Sequence, residues 1–274
     1  MSKVWFITGV SRGFGREWAI AALERGDKVA ATARKTETLN DLVEKYGDRI
    51  LPLSLDVQNR EDCFESVDAA IAKFGRLDIV VNNAGYGQFG YIEELSEKEA
   101  REQFETNVFG ALWVTQAVLP HLRKQGSGHI LQVSSIGGIS AFAGIGIYNA
   151  SKWALEGFSQ ALAQEVEGLG IFVTLIEPAG YDTDWGGASA KRATPLPVYD
   201  KAKEAGVEAR KKRFPKQGDP KATPAVILKL VDMKEPPLRL FLGEAPLRIA
   251  KEDYASRLTS WEATQGLALE AQGK

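Results

Sequence analysis

Residues 3 to 15 read "KVWFITGVSRGFG", a continuous apolar run that passes directly into a turn rich in glycine. The run at 3–8 has the length and composition of a buried strand. An amphipathic stretch at 14–25 follows the turn and predicts a helix. A strand, a glycine turn and a helix in this order are typical of an α/β unit, so this segment predicts the fold class.

The alternation of strand and helix continues along the chain. Six more apolar runs of strand length lie at 28–33, 49–55, 77–84, 129–135, 171–178 and 238–243. Further helices are predicted at 37–46, 60–74, 97–123 and 147–168. Most of the strand-length runs are apolar on both faces, as expected for a parallel sheet that is covered on each side. We therefore predict an α/β fold, a Rossmann-like doubly wound seven-stranded parallel sheet with helices on both faces. Its ligand crevice is expected beyond the carboxyl ends of the strands.

The composition favours a soluble globular protein, since 44% of the 274 residues are hydrophobic and 26% are charged. No linker rich in Ser, Gly or Pro divides the chain, so a single domain at 1–274 is expected. The formal net charge of −2 gives no reason to expect nucleic acid or an anionic membrane as a partner. The densest basic run, "ARKKR" at 209–213, is interpreted as a solvated helical face.

Cysteine and histidine are too scarce to predict a metal site. Cys63 is the only cysteine and is expected to be a small packed side chain, which fits a reducing compartment. His121 and His129 are the only histidines, so no metal and no serine–histidine triad is expected. The N-terminal residues lack a secretory apolar segment, and no apolar run reaches the length of about 18 residues that a membrane helix needs. A cytoplasmic protein is therefore expected.

Candidate binding residues follow three of the predicted strands. The turn "TGVSRGFG" at 8–15 has the spacing G-x-x-x-G-x-G, which would let backbone amides approach a pyrophosphate at the start of a helix. The segment "NNAG" at 82–85 follows the fourth strand, and Ser134 and Ser135 follow the fifth. Each feature also has a simpler interpretation, as an ordinary turn or a local backbone cap.

The stretch "GIYNASKWALEG" at 146–157 places Lys152 four residues after Tyr148. The phenol and the ammonium therefore share one face of the predicted helix. A solvated face with two polar tips would explain this pair. Alternatively, the cation makes the phenol proton labile, because an opposite charge within about 6 Å favours the ionised form of an acid.

Taken together, these features resemble the short-chain dehydrogenase/reductase family, in its compact single-domain branch. The segments that carry the resemblance occur in the family's order: "TGVSRGFG", "LDV" at 55–57, "NNAG", Asn107, Ser135, "YNASK" and "EPAGYDT" at 177–183. Ser135 lies 13 positions before Tyr148, which is the family's separation of serine and tyrosine, and Ser134 is set aside for that reason. The resemblance implies that the catalytic residues are Asn107, Ser135, Tyr148 and Lys152.

The resemblance also implies a nicotinamide dinucleotide cofactor. The residues implied for its binding are Gly9, Ser11, Arg12, Gly13, Phe14, Gly15, Arg34, Asp56, Val57, Asn83, Ala84, Gly85, Tyr148, Lys152, Pro178, Gly180 and Thr183. The family usually has glycine directly after the proline that ends the sixth strand. This chain has Ala179 after Pro178, and the turn is expected to tolerate the methyl group of Ala179.

The end of the second strand indicates which dinucleotide is used. An acidic residue there would bond the ribose 2′-hydroxyl of NAD, whereas arginine accommodates the 2′-phosphate of NADP. The chain has Ala33 at this position, followed by Arg34, and Arg12 lies in the glycine turn. These residues favour NADP(H), although Glu37 is close in sequence.

The implied chemistry is hydride transfer at a carbonyl or alcohol carbon, with Tyr148 as the general acid or base. Lys152, together with the oxidised nicotinamide, is expected to lower the pKa of Tyr148 and, by resemblance, to bond the nicotinamide ribose. Ser135 is expected to polarise the substrate oxygen. By resemblance alone, Asn107 is expected to hold a water that links Lys152 to solvent.

A long segment at 181–214 follows the sixth strand and is predicted to be a substrate lid. With the crevice loops it predicts an apolar substrate pocket of Phe89, Gly137, Phe142, Ile145, Tyr181, Trp185 and Tyr199. The alternative is that these residues only pack the lid. Similarity to the hydroxysteroid and retinol dehydrogenase members implies a small-molecule substrate that is a bulky hydrophobic carbonyl compound or secondary alcohol, and the family implies a homodimer or homotetramer. Residues 244–274 are expected to form a C-terminal helical extension, to which no function is assigned.

Three functions remain open at this point. The main prediction is an NADP(H)-dependent oxidoreductase that interconverts a ketone or aldehyde and the alcohol of a hydrophobic substrate. The first alternative is an NAD-dependent secondary-alcohol dehydrogenase. The second is a non-catalytic cofactor-sensing module, although such a module has no need of Ser135, Tyr148 and Lys152 together.

Overall fold

The computed structural model describes residues 2–187 and 189–273, so Met1, Ala188 of the predicted lid and Lys274 of the predicted extension lie outside the described residues. The strands are β1 Val4–Ile7, β2 Lys28–Ala33, β3 Ile50–Ser54, β4 Ile79–Asn82, β5 Gln88–Phe89, β6 Gly128–Val133, β7 Ile171–Pro178, β8 Lys191–Arg192 and β9 Arg239–Leu242. Seven of them form a parallel sheet in the order β3-β2-β1-β4-β6-β7-β9. The predicted seven-stranded parallel sheet is confirmed, with every strand end within two residues of its predicted position.

The helices are α1 Gly13–Arg25, α2 Asn40–Tyr46, α3 Arg60–Phe74, α4 Glu97–Phe104, α5 Gly110–Gln125, α6 Gly146–Glu165, α7 Asp200–Arg213, α8 Thr223–Leu230, α9 Ala245–Ala263 and α10 Gln265–Ala271. Helices α1, α2 and α8 bury apolar residues in one core cluster, and α3, α5 and α6 bury theirs in a second. Cys63 is packed in the second cluster, as expected. Both faces of the sheet are therefore covered.

Strand β1 shows why the apolar runs have no polar face. Its four residues are all buried, and successive side chains point to opposite sides of the sheet. Trp5 and Ile7 belong to the cluster with α1, whereas Val4 and Phe6 belong to the cluster with α3. A strand that is covered on both sides thus needs an apolar side chain at every position.

The helix predicted at 97–123 is interrupted. Helix α4 is followed by a π-helical turn at Glu105–Phe109 before α5 begins. Such a turn inserts a residue into the helical ladder and frequently occurs at functional sites. Here it contains Asn107, one of the expected catalytic residues, which is buried.

The predicted lid has secondary structure of its own. Its described residues include the 3₁₀ turns Asp184–Gly186 and Pro197–Tyr199, strand β8 and helix α7. Strand β8 pairs in parallel with β5 outside the central sheet. Of these elements, the sequence predicted only the solvated helical face at 209–213, which forms the exposed C-terminal part of α7.

The predicted C-terminal extension consists of α9 and α10. Helix α9 packs through Ile249 and Ala250 against Ile136 and Ile139, which follow β6. Throughout α10 the residues are exposed. Within the described ranges, no helix is both long enough and apolar enough to cross a bilayer.

Candidate active site

The glycine turn after β1 has the geometry that a phosphate group requires. Gly9 and Gly13 have φ angles of +72° and +62°, a region that other residues rarely adopt. A Cβ atom on Gly15 would collide with Asn83 Nδ2. Because α1 begins at Gly13, shortly after the end of β1, its first amides lie near the carboxyl edge of the sheet, and the Arg12 side chain does not cap them. These features fit the pyrophosphate of a dinucleotide.

Thr8 and Asn83 join this turn to the end of β4. Asn83 Nδ2 donates to the carbonyl oxygens of Thr8 and Gly9 at 2.8 and 3.1 Å. In return, Thr8 Oγ1 accepts from the backbone amides of Asn83 and Ala84, both at 2.9 Å. Thr8 was missed among the predicted site residues, although a polar residue directly after a buried strand is a signal for such a role.

The residues expected to contact the 2′-phosphate lie at the end of β2. Ala33 ends β2 and is buried, whereas Arg34 is exposed at the start of the following turn. Glu37 belongs to the 3₁₀ turn Thr36–Leu39 and does not occupy the end of the strand. After β3, Asp56 is exposed and Val57 is buried, where a Cβ atom on Gly110 would lie 2.6 Å from Val57 Cγ2.

Ser135 and Tyr148 meet in the structure. The Ser135 side chain lies close enough to the Tyr148 phenol to lower its pKa, and Ser135 Oγ accepts from the Gly137 amide at 3.0 Å. A Cβ atom on Gly137 would lie 3.3 Å from both Ser135 Oγ and the Tyr148 ring. Ser134 Oγ lies next to Gly138 instead, on the side of Glu156. The serine chosen by its separation from Tyr148 is thus the one that reaches the phenol.

In the protein chain by itself the pKa of Tyr148 is raised, whereas the predicted lowering concerns the complex with the oxidised cofactor and stays a prediction. Burial raises the pKa of Tyr148 to about 12, and the nearby Ser135 side chain lowers it by less. Only 6% of the tyrosine is exposed, so the phenolate would lose most of its hydration. Without the cofactor's charge, desolvation outweighs the attraction of Lys152.

Lys152 is fixed one helical turn after Tyr148. Its Nζ donates to the Val133 carbonyl oxygen at 2.7 Å and lies 5.8 Å from the centroid of the Tyr148 ring. Burial lowers the pKa of Lys152 to about 8, although the charge of Glu156 opposes the shift. The sequence pattern could not predict this contact with Val133, because the contact is made by a backbone carbonyl and not by a side chain.

Asn107 connects the π turn with the loop after β4 and with α6. Its Nδ2 donates to the Tyr86 carbonyl oxygen and to Ser151 Oγ, both at 3.1 Å. Its Oδ1 accepts from the Tyr86 amide at 3.2 Å. A Cβ atom on Gly85 would lie 3.0 Å from Asn107 Oδ1 and 3.8 Å from Lys152 Nζ. Gly85 therefore lies between the expected catalytic amide and the ammonium.

The carboxyl groups of Glu156 and Glu177 are buried, and the charge of Glu156 acts on Lys152. Arg239 Nε is 3.0 Å from Glu156 Oε2 and 3.3 Å from Glu177 Oε1. Burial raises the pKa of both carboxyl groups, and the charge of Glu156 raises that of Glu177 further. One positive charge thus faces two acids, which favours a shared proton.

Trp185 covers the phenol. Its ring lies 4.9 Å from the Tyr148 ring and 5.2 Å from the Phe89 ring, centroid to centroid. A Cβ atom on Gly87 would lie 2.6 Å from Trp185 Cζ2, so this residue must be glycine for the indole to approach. Thr183 Oγ1 accepts from the Trp185 amide at 3.4 Å and helps to orient the turn. Gly137 and Trp185 therefore lie beside Tyr148, and Phe89 lies beside Trp185. That these residues line a substrate pocket stays a prediction.

Two residues predicted for the pocket lie elsewhere. The Tyr181 ring packs edge-on against Phe14 at 5.1 Å, because the chain runs beside Gly218 and turns the ring toward α1. Tyr199 stacks on Tyr91 at 4.8 Å and donates to Glu93. These two tyrosines pack the lid, which is the alternative interpretation given for the aromatic residues.

The remaining predicted pocket residues stand beside α6. The Phe142 amide donates to Asn149 Oδ1 at 3.1 Å, and its ring lies 6.2 Å from the Phe214 ring. Ile145 directly precedes α6 and pairs with Gly90 in an isolated bridge.

The loop after β7 leads from the predicted cofactor residues to the lid. Pro178 ends β7, and the Gly180 carbonyl oxygen accepts from the Gly218 amide at 2.9 Å. Ala179 packs with the Ile136 cluster, which accommodates the methyl group where the family usually has glycine.

Lid and crevice are joined on the outer side of the pocket. Lys203 forms an ion pair with Glu94, whose Oε1 also accepts from the Leu196 amide at 2.7 Å. The hydrogen bond from the Leu196 amide has the largest effect on the pKa of Glu94. Together with the contact of Lys203, it lowers this pKa to about 2. A second ion pair joins β8 of the lid to α4, where Lys191 Nζ lies 2.7 Å from Glu102 Oε2.

Comparison with known proteins agrees with this geometry. Residues 3–193 match the family model described as short chain dehydrogenase. The chain belongs to the short-chain dehydrogenase/reductase family. It is 45% identical over 245 residues to Oxidoreductase BOA17 of Botryotinia fuckeliana, with 89% of each chain covered. It is 35% identical over 254 residues to a 3-ketodihydrosphingosine reductase of Bacteroides thetaiotaomicron, with 88% of each covered. This short-chain dehydrogenase/reductase is therefore an oxidoreductase.

Solved structures show the same fold. A short-chain dehydrogenase from Streptomyces avermitilis has a TM-score of 0.90 and 38% identity, with 98% of each chain covered. An alcohol dehydrogenase from Thermococcus sibiricus, complexed with 5-hydroxy-NADP, has a TM-score of 0.73 and 27% identity, with 88% of this chain and 96% of that chain covered. A family member from Burkholderia phymatum, in complex with NAD, has a TM-score of 0.80 and 25% identity, with coverages of 93% and 95%. Members of the family thus bind either nicotinamide dinucleotide.

Proposed function

We propose that this short-chain dehydrogenase/reductase uses NADP(H) to interconvert a ketone or aldehyde and the corresponding alcohol of a hydrophobic substrate. One observation carries the proposal: Ser135 and Tyr148 lie together at Gly137, and Tyr148 lies beside the ring of Trp185. Two hydroxyl donors that meet beside an aromatic wall suit a carbonyl oxygen on an apolar substrate.

The pKa of Tyr148 favours the reductive direction. A bound nicotinamide dinucleotide supplies the hydride for reduction or accepts it in oxidation. Because burial raises the pKa of Tyr148 to about 12, the phenol keeps its proton at neutral pH and can donate it to the substrate oxygen. The Gly137 amide already donates to Ser135 Oγ, so the Ser135 hydroxyl proton is directed to another acceptor, the substrate oxygen. Such a single donor contributes about 3 kcal/mol in comparable sites.

Lys152 and Asn107 support the proton transfer. A lysine ammonium has three N–H donors, and one of them is donated to the Val133 carbonyl oxygen. We assign the others to a ribose hydroxyl of the cofactor and to a water near Asn107. The positive charge 5.8 Å from the Tyr148 ring would stabilise the phenolate that remains after the proton has left.

The assignment of NADP(H) is supported by the end of β2. Ala33 leaves no carboxylate there for a ribose 2′-hydroxyl, and the exposed Arg34 follows it. Among the described residues, Arg34 forms no ion pair that would compete with a 2′-phosphate. A guanidinium can hold a phosphate through two parallel hydrogen bonds.

A spectrophotometric assay tests the proposed function. The oxidation of NADPH and of NADH is followed with a panel of ketones and aldehydes that includes decalone and acetone. We expect turnover of bulky ketones with NADPH. A preference for NADH would support the NAD-dependent alcohol dehydrogenase instead. Cofactor binding without turnover of any carbonyl compound or alcohol would support the cofactor-sensing module.

Three further assignments are part of the proposal. Residues 181–214 act as a lid on one catalytic domain, the chain assembles as a homodimer or homotetramer, and the protein is cytoplasmic. Light scattering tests the assembly, and a monomer in solution would contradict it.

A further inference from the structure

The last turn of α7 presents two arginines to two aromatic residues of the predicted pocket. The Arg210 guanidinium carbon lies 6.0 Å from the Phe89 ring centroid, and that of Arg213 lies 4.7 Å from the Phe142 ring centroid. Residues three apart share one face of a helix. This face of α7 therefore turns toward the pocket rather than to bulk solvent alone.

A third arginine reaches the same place from β8. The Arg192 guanidinium carbon lies 5.2 Å from the Phe89 ring centroid, and its NH2 group donates to the Gly186 carbonyl oxygen at 2.8 Å. Two guanidinium groups thus share the ring of Phe89. That ring contacts Trp185, which contacts Tyr148, so the three rings form an apolar path from the arginines to the phenol.

The three arginines differ from two neighbouring lysines in their ion pairs. Within the described residues, none of the three forms an ion pair, whereas Lys211 on the same helix pairs with Glu208 and Lys191 beside Arg192 pairs with Glu102. Contacts between an exposed guanidinium and an aromatic ring are weak, and two like charges over one ring repel each other. Three cations gathered at one end of a pocket would attract an anion.

We propose that Arg192, Arg210 and Arg213 bind an anionic group of the substrate, which places a carboxylate or phosphate at the end remote from the reacting carbon. The natural substrate is then an amphiphile: an apolar body lies along Phe89 and Trp185, and its carbonyl or alcohol reaches Tyr148. Guanidinium groups suit both kinds of oxyanion, because each can donate two parallel hydrogen bonds. The inference rests on the proposed function, since it concerns the substrate of the same site.

Matched substrates and matched variants test the arginines. The probes are an oxoundecanoate with a terminal methyl ketone, its neutral methyl ester, and the phosphate ester of the corresponding keto alcohol. The variants are the double substitution Arg210→Ala and Arg213→Ala, and the control Lys211→Ala and Lys212→Ala, which removes the same charge from the same turn. Both kcat and KM are measured with NADPH at fixed ionic strength, and binding of each probe is measured by calorimetry.

We expect the wild type to prefer an anionic probe over the ester by at least tenfold in kcat/KM. The arginine variant should lose this preference through a higher KM for the anionic probe, while its kinetics with the ester change less than about twofold. The lysine control should keep the preference. Comparison of the acid with the phosphate ester shows which oxyanion the arginines favour.

Three results would overturn the proposal. These are equal kcat/KM for the anionic probes and the ester in the wild type, an equal loss for both in the arginine variant, and the same loss in the lysine control. If no probe is turned over, the proposed function fails, and the calorimetric comparison of acid with ester still decides whether the arginines bind an anion.

Discussion

The ring of Trp185 lies 4.9 Å from the ring of Tyr148, centroid to centroid, at an interplanar angle of 60°. Trp185 reaches this position from a 3₁₀ turn in the predicted lid, and Gly87 leaves room for its indole. We therefore expect a substrate oxygen that approaches the Tyr148 hydroxyl to contact Trp185, which would make the predicted lid part of the site.

Trp185→Ala should reduce the selectivity for bulky substrates. Burial of a large apolar side chain against a substrate is worth about 1.5 to 3 kcal/mol, so kcat/KM for decalone should fall at least tenfold. The value for acetone should change less than about threefold. Trp261→Ala, at an exposed position of α9, is the control and should change neither. Equal losses for decalone and acetone would show that Trp185 does not select for size.

Arg34→Asp should shift the cofactor preference away from NADPH. A charge-assisted contact of this kind contributes about 1.5 to 3 kcal/mol, so the KM for NADPH should rise at least tenfold while NADH is used no worse. Lys35→Asp makes the same charge change at the adjacent exposed position and should leave the ratio within about threefold. Arg12→Ala should give a smaller loss in the same direction. An unchanged ratio of kcat/KM for NADPH and NADH in Arg34→Asp would exclude Arg34 as a cofactor contact.

The carboxyl group of Glu177 should make the folded protein less stable as the pH rises. Burial and the neighbouring Glu156 raise the pKa of Glu177 to about 9, above the ordinary value of 4.5. Between these pH values the folded state keeps a proton that the unfolded state has released, so the free energy of unfolding falls with rising pH. Glu177→Gln removes this titration.

Urea unfolding at about pH 5 and about pH 8 measures the effect. The wild type should lose more stability between the two pH values than Glu177→Gln does. Glu165→Gln, at an exposed position in α6, should behave like the wild type. Parallel losses in wild type and Glu177→Gln would mean that Glu177 is ionised in the folded protein across this range.

Local patterns predicted much of the fold. The apolar run at Val4–Ile7 and its six counterparts needed no knowledge of distant contacts, because a strand covered on both faces is apolar at every position. The resemblance to the family, in which the serine and the tyrosine have the same separation, also placed Ser135 with Tyr148. The π turn at Glu105–Phe109 was not predicted, since an extra residue in a helix leaves the apolar spacing nearly unchanged.

The parts of the site that were missed depend on contacts between distant segments. Arg239 meets Glu156 and Glu177 only because β9 pairs with β7 beside α6. Tyr181 was predicted in the pocket, but its ring turns toward Phe14 because the backbone there runs beside Gly218. Neither arrangement has a signal in the spacing of residues along one segment.

Tyr148→Phe tests most directly whether Tyr148 moves the proton. The substitution keeps the ring beside Trp185 and removes only the phenol hydroxyl, whose pKa the nearby Ser135 side chain lowers. We expect kcat for the reduction of a bulky ketone to fall by at least about 10²-fold, the usual contribution of a positioned acid, while the Kd for NADPH stays within about threefold of the wild-type value. A variant that binds NADPH normally and keeps more than about a tenth of the wild-type kcat would contradict the role of Tyr148 as the general acid.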